Sequence, residues 1–218
     1  MDFPDFFDRV PAITLREPLA AFFGASAGGT ITYRYADAVK LAGHSCPTVA
    51  GAYLMIRKGL ARLYGDDMPE RGNIEVHMRD ARDDGTTGVI ATIAMLLTGA
   101  APETGFGGIG MNRRFARRDL LRFDAPIRGL MALRRRDTGS GVVLDLDTAP
   151  VPSAEGMRTL FAKVAAGTAG ADEEATFAAL WQERVARMLL KHADDPALVH
   201  VRPWEVVDQG RSPERGRS

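Results

Sequence analysis

Between Thr87 and Leu97 the chain reads Thr-Gly-Val-Ile-Ala-Thr-Ile-Ala-Met-Leu-Leu, apolar on every side of a helix and stopped by Gly99. A helix of this kind is either covered all round by protein or set in a bilayer. The run falls far short of the roughly 20 residues a membrane span requires. It is therefore expected as the central buried helix, and the rest of the chain has to supply its cover. The polar loop Asp83-Asp84-Gly85 and the capping hydroxyls of Thr86 and Thr87 mark where it starts.

The elements around it follow from periodicity. Residues 12–24, with Leu15, Leu19, Phe22 and Phe23, read as a short amphipathic helix, and Thr30 to Tyr35 as a β-branched, aromatic strand. Pro47 opens a helix running to about Leu63, because the amide it lacks would be unpaired in a first turn anyway. From Asn73 to Arg79 the pattern alternates: Ile74, Val76 and Met78 face one way, Glu75, His77 and Arg79 the other. Leu120 to Ala125, Leu130 to Arg136 and Val142 to Leu146 read as strands, the last two joined through Thr138-Gly139-Ser140-Gly141. Two helices marked by Met157 to Val164 and by Phe177 to Leu189 come next, then a strand over Val199 to Val207. The expected fold class is α+β: a mixed or antiparallel sheet against the buried helix, with C-terminal helices. One domain is expected over 1–208, with a disordered tail over 209–218.

Composition narrows the partners. Lys and Arg number 28 and Asp and Glu number 28, giving a formal net charge of zero. That speaks against a dedicated nucleic-acid or membrane-surface protein. A single cysteine leaves no internal disulfide and no four-cysteine zinc module within these residues. The acidic start, Met1-Asp2-Phe3-Pro4-Asp5, lacks a basic-then-apolar signal pattern, so a soluble, cytoplasmic protein is expected.

The strongest local signal is Gly43-His44-Ser45-Cys46-Pro47. With Pro47 as the first helical residue, Cys46 is the N-cap at the positive end of the helix dipole, where a thiolate is favoured. A thiolate beside an imidazole suits a divalent metal, zinc first, iron or nickel as well. The same pair could work as nucleophile (Cys46) and base (His44), and Cys46 could equally be a small buried hydrophobe with His44 a turn residue. His77, on the polar face of its strand, could complete a metal site with His44 and Cys46 or simply be exposed; Glu75, Asp83 or Asp84 could orient an imidazole.

Other patterns are weaker. Gly105-Phe106-Gly107-Gly108-Ile109-Gly110 fits a dinucleotide fingerprint but follows a helix rather than a strand. Gly24-Ala25-Ser26-Ala27-Gly28 fits a nucleophile elbow without the strand-to-helix setting it needs. Thr104 and Gly105, just past the apolar helix, are small enough to let backbone approach a cofactor or small ligand; a tight turn accounts for them as well. The arginines of Arg113 to Arg118 and Arg134 to Arg136 could meet an anion, although a solvated face is commoner.

These residues resemble the E-type (FmdE) family of formylmethanofuran dehydrogenase components. Its signature, His-Gly-His-x-Cys-Pro-Gly at a helix entry, is matched by Ala42-Gly43-His44-Ser45-Cys46-Pro47-Thr48. Ile90 to Gly99, Thr104 to Gly110 and Thr138-Gly139-Ser140-Gly141 are similar to its apolar helix, Gly-containing loop and hairpin. The resemblance implies an α+β core, a homodimer, and a metal held by His44 and Cys46 with an open position for a small molecule. It also implies an accessory role in one-carbon or molybdenum/tungsten-enzyme metabolism. Three departures count: Ala42 replaces the first signature histidine, Thr48 replaces the glycine, and Thr87-Gly88-Val89 lacks the family's cysteine near the apolar helix. Three readings stay open: a metal-binding protein with His77 standing in as third ligand, a metal-free thiol enzyme, and a non-catalytic interaction protein whose site has decayed.

Overall fold

The sheet that carries the fold is mixed and five-stranded, in the order β4-β3-β5-β6-β7. Its strands are β3 (Ile74–Met78), β4 (Leu121–Arg122), β5 (Met131–Arg135), β6 (Gly141–Leu146) and β7 (Val199–Pro203). Only β3 and β4 run parallel; the other neighbours are antiparallel, with Val76 opposite Leu133 and Leu133 opposite Val142. A separate two-stranded sheet joins β1 (Ile13–Arg16) to β2 (Thr30–Tyr33). The helices are α1 (Pro18–Phe22), α2 (Tyr35–Ala42), α3 (Pro47–Tyr64), α4 (Thr87–Thr98), α5 (Met157–Ala165) and α6 (Ala171–Ala186), the last continued by a π turn, Arg187–Lys191. The fold is α+β. This computed structural model describes residues 3–204, so the tail expected from 209 onward, and the last strand past 204, lie outside the described residues. No helix among them is long and apolar enough to cross a membrane.

The helix at the centre is α3, not α4. Val49 to Ile56 along α3 are buried without a break, and Gly51 and Gly59 bring its backbone down onto the sheet. A Cβ at Gly51 would sit 2.2 Å from Leu146 Cδ2, and one at Gly59 2.7 Å from Leu133 Cδ1. The two charges that make α3 read as amphipathic reach outward to one loop: Arg57 pairs with Asp194 at 2.8 Å, and Lys58 donates to the carbonyls of Asp194 and Asp195. Helix α4 is more apolar yet less covered. It buries Ile90, Ile93, Ala94 and Leu97, while Met95 stays exposed and Val89, Thr92 and Leu96 are half-buried.

Two further expectations at the N-terminal end change. The helix expected over 12–24 is strand β1 followed by α1, because Pro18 is a first-turn residue and Ile13 and Leu15 point inward from a strand that pairs with β2. The strand expected over 30–35 ends at Tyr33, and Tyr35 opens α2.

Glu17, the N-cap of α1, is 4% exposed and binds two arginines that lie far along the chain. Its carboxylate accepts from Arg71 at 2.8 Å, from Arg117, and from the Leu19 amide at 3.0 Å. Arg71 also donates to the Leu96 carbonyl and lies over the Tyr33 ring. This cluster ties the β1–β2 sheet to the end of α4 and to the loop that follows it.

Candidate functional site

The turn between α2 and α3 is built by a glycine. Gly43 adopts φ +77° and donates to the Val39 carbonyl at 2.8 Å, a left-handed stop that other residues adopt at a cost. The chain then extends through His44 and Ser45 to Cys46 (φ −150°, ψ 169°), which caps α3 by accepting from the Val49 amide through Sγ at 3.4 Å. The thiol is buried and faces the helix's unpaired amides. Ser45 is held from two sides. Its carbonyl accepts from Trp181 Nε1 at 3.0 Å and Gln182 Nε2 at 3.1 Å, both on α6, and its hydroxyl meets the Tyr35 hydroxyl at 3.0 Å. Burial pushes the Tyr35 phenol well above its ordinary range, so it stays protonated at neutral pH.

His44 is exposed, and its Nδ1 lies 3.0 Å from the Ala42 carbonyl. A carbonyl only accepts, so the proton sits on Nδ1 and the Nε2 lone pair is left for another partner. His44 makes no hydrogen bond to Cys46. Beside Ala42, a cavity of about 250 Å³ opens between α2 and α4, lined by Leu41, Ala42, Gly88, Val89, Thr92 and Ile93.

His77 is not brought to this turn. It pairs with Ala132 across β3–β5 and faces the outer side of the sheet, where its ring packs edge-on against Trp204 at 4.7 Å. Val76 and Met78, its neighbours in the strand, face the core that Cys46 joins, so the sheet lies between the two side chains. Among the described residues no cluster of three or more His, Cys, Asp or Glu side chains is placed to hold a metal. Asp83 and Asp84, in the loop before α4, are exposed.

The environment of His77 has a measurable consequence. Its Nε2 is buried without a hydrogen-bond partner among the described residues, and Glu75 Oε2 is 3.6 Å away. Burial pushes the imidazole below its ordinary 6.5; Glu75 pulls the other way but less strongly. The unfolded chain therefore binds the proton more tightly, and stability is lost as pH falls below about 6.5. His77→Phe, which keeps a ring against Trp204, should flatten that loss. Urea midpoints at about pH 7.5 and 5.5 decide it: an unchanged difference between the two would mean that another group titrates.

Thr104 and Gly105 have separate surroundings. Gly105 lies against its own chain, since a Cβ there would be 2.8 Å from the Arg118 backbone nitrogen. Thr104 lines an apolar cavity of about 180 Å³ with Gly88, Thr92, Met95, Leu121 and Phe123. The two cavities flank α4 and share Gly88 and Thr92, whose small side chains leave the space.

An α+β core with a thiol-capped helix beside a small apolar cavity describes the class of protein. No protein-family model matches the chain, and no curated protein matches it. Among solved structures, the chain is similar to a tungsten formylmethanofuran dehydrogenase FmdE-like protein from Syntrophus aciditrophicus, with a TM-score of 0.43 and 14% identity over 80% of this chain and 73% of that one. At those values the likeness assigns neither a family nor an activity.

Proposed function

We propose that the His44–Cys46 turn binds a soft or borderline divalent cation, zinc before iron or nickel, as an exchangeable ion rather than a resident one. One observation carries the reading: the Nδ1 of His44 is tied to the Ala42 carbonyl, which fixes the ring and leaves Nε2 as a donor. A metal-bound histidine is usually held in this way from behind. Cys46 supplies the second donor, with its thiolate form favoured by the α3 amides. Two protein donors do not make a three-ligand catalytic zinc site, so a small exogenous ligand completes the shell from the cavity beside Ala42. An ion held there would act as a Lewis acid toward that ligand.

Cobalt(II) titration of the metal-free protein tests this, together with the rate of Cys46 alkylation by iodoacetamide. Cobalt–thiolate absorption should appear for the native chain and be lost in Cys46→Ala. In His44→Ala the affinity should fall at least about tenfold. Zinc should slow alkylation, and a chelator should restore it. If cobalt gives no absorption and zinc leaves alkylation unchanged, the metal reading fails. Rapid alkylation below about pH 7 in that case would favour a metal-free thiol nucleophile.

A further inference from the structure

Four large apolar side chains that remain exposed lie on two neighbouring segments: Phe22 and Phe23 at the end of α1, Phe106 and Met111 in the loop after α4. That loop is a short finger. Ile109 and Arg114 exchange backbone hydrogen bonds of 2.8 and 3.0 Å, so Gly110-Met111-Asn112-Arg113 forms the tip, where Met111 is wholly exposed. Its backbone is costly to hold. Arg113, Phe115 and Asp119 adopt φ of 48°, 63° and 62°, and a Cβ on Gly108 would lie 2.4 Å from the Arg113 carbonyl oxygen. Such conformations persist only where the surroundings impose them. Here Phe115 packs against Phe22 at 5.4 Å, and the Arg114 guanidinium lies over both rings. The finger and the end of α1 are thereby one surface.

The charge on that surface is of one sign. No acidic residue occurs between Glu103 and Asp119. Arg117 turns inward to Glu17, whereas Arg113, Arg114 and Arg118 have no carboxylate partner among the described residues.

We propose that this patch docks the protein on an anionic lipid bilayer, with Met111, Phe22 and Phe23 entering the interface and the three arginines meeting lipid phosphates. A convex, fully exposed apolar tip suits a deformable surface. A second copy placed symmetrically on the same patch would set arginine against arginine. Because the whole chain has no net charge, the attraction is local and short-ranged, and salt should weaken it.

Co-sedimentation with phosphatidylcholine vesicles, with and without roughly one-third phosphatidylglycerol, is the test. The native chain should partition at least about tenfold more strongly onto the anionic vesicles at about 50 mM salt than at about 300 mM. The double variants Met111→Ser/Phe23→Ser and Arg113→Glu/Arg114→Glu should each lose that binding. The first pair is solvent-facing, so its unfolding midpoint should match the native one. Absence of sedimentation with anionic vesicles overturns the proposal. So does unaltered binding by Met111→Ser/Phe23→Ser, which would mean adsorption by charge alone. Binding of soluble polyglutamate as tight as that of the vesicles would assign the patch to an acidic protein instead.

Discussion

Glu17→Ala should destabilise the protein by about 3–5 kcal/mol, a large part of what holds a domain of this size together. The carboxylate is almost fully buried, and it is the one acid set between Arg71 and Arg117. Its removal leaves Arg117, whose side chain is only 9% exposed, without a counter-charge. Burial already draws the Arg117 guanidinium below its ordinary pKa, with Glu17 opposing that shift. A guanidinium does not escape by losing its proton at neutral pH, so the cost falls on the fold. The Leu19 amide at the head of α1 also loses its cap. Glu17→Gln separates these effects, because an amide can still accept from Leu19 but carries no charge. Urea denaturation of the two variants measures both terms. A loss below about 1 kcal/mol for Glu17→Ala would mean that the arginines find water or another acid.

Nothing local in the sequence announces this cluster. Glu17 lies 54 residues from Arg71 and 100 from Arg117, and each reads alone as a surface charge. What the sequence does disclose is periodicity. The alternation in Ile74 to Met78 placed β3, and Thr138-Gly139-Ser140 placed the β5–β6 turn. Periodicity misleads where two elements share a stripe: Leu15, Leu19 and Phe22 have helical spacing, yet they belong to β1 and α1 on either side of Glu17. It also misranks the helices. Composition favours α4 as the centre, but burial depends on what neighbours cover, and the glycines of α3 allow the closer contact with the sheet. At the candidate site, Cys46 as an N-cap was readable from Pro47 alone. The grip of Ala42 on His44 was not, since it depends on the left-handed turn at Gly43. The separation of His77 from Cys46 was already present in the β3 alternation: with Ile74, Val76 and Met78 directed to the core, His77 had to face away from it.

Gly72→Ala should cost nearly as much as removal of Glu17, and for the same reason. Gly72 has φ +85°, and a Cβ placed on it would lie 1.0 Å from Arg117 Nη1. No small adjustment resolves that overlap. Either the Gly72 backbone moves, breaking its amide's 2.8 Å bond to the Thr98 carbonyl, or Arg117 leaves Glu17. The backbone is pinned a second time by Arg136, which donates to the Gly72 carbonyl at 3.0 Å. Arg117 is therefore the group displaced, and about 3 kcal/mol is expected from the broken buried pair together with the strained φ. Gly139→Ala calibrates the strain alone: φ there is +74°, with only the Arg134 guanidinium end nearby at 3.7 Å, so about 1 kcal/mol is expected. The combined Glu17→Ala/Gly72→Ala variant then decides whether one interaction is being lost twice. If it is, the double variant is less destabilised than the sum of the two by roughly 1–3 kcal/mol. Strict additivity would mean that Gly72 acts through its backbone alone and that Arg117 can be repacked without losing Glu17.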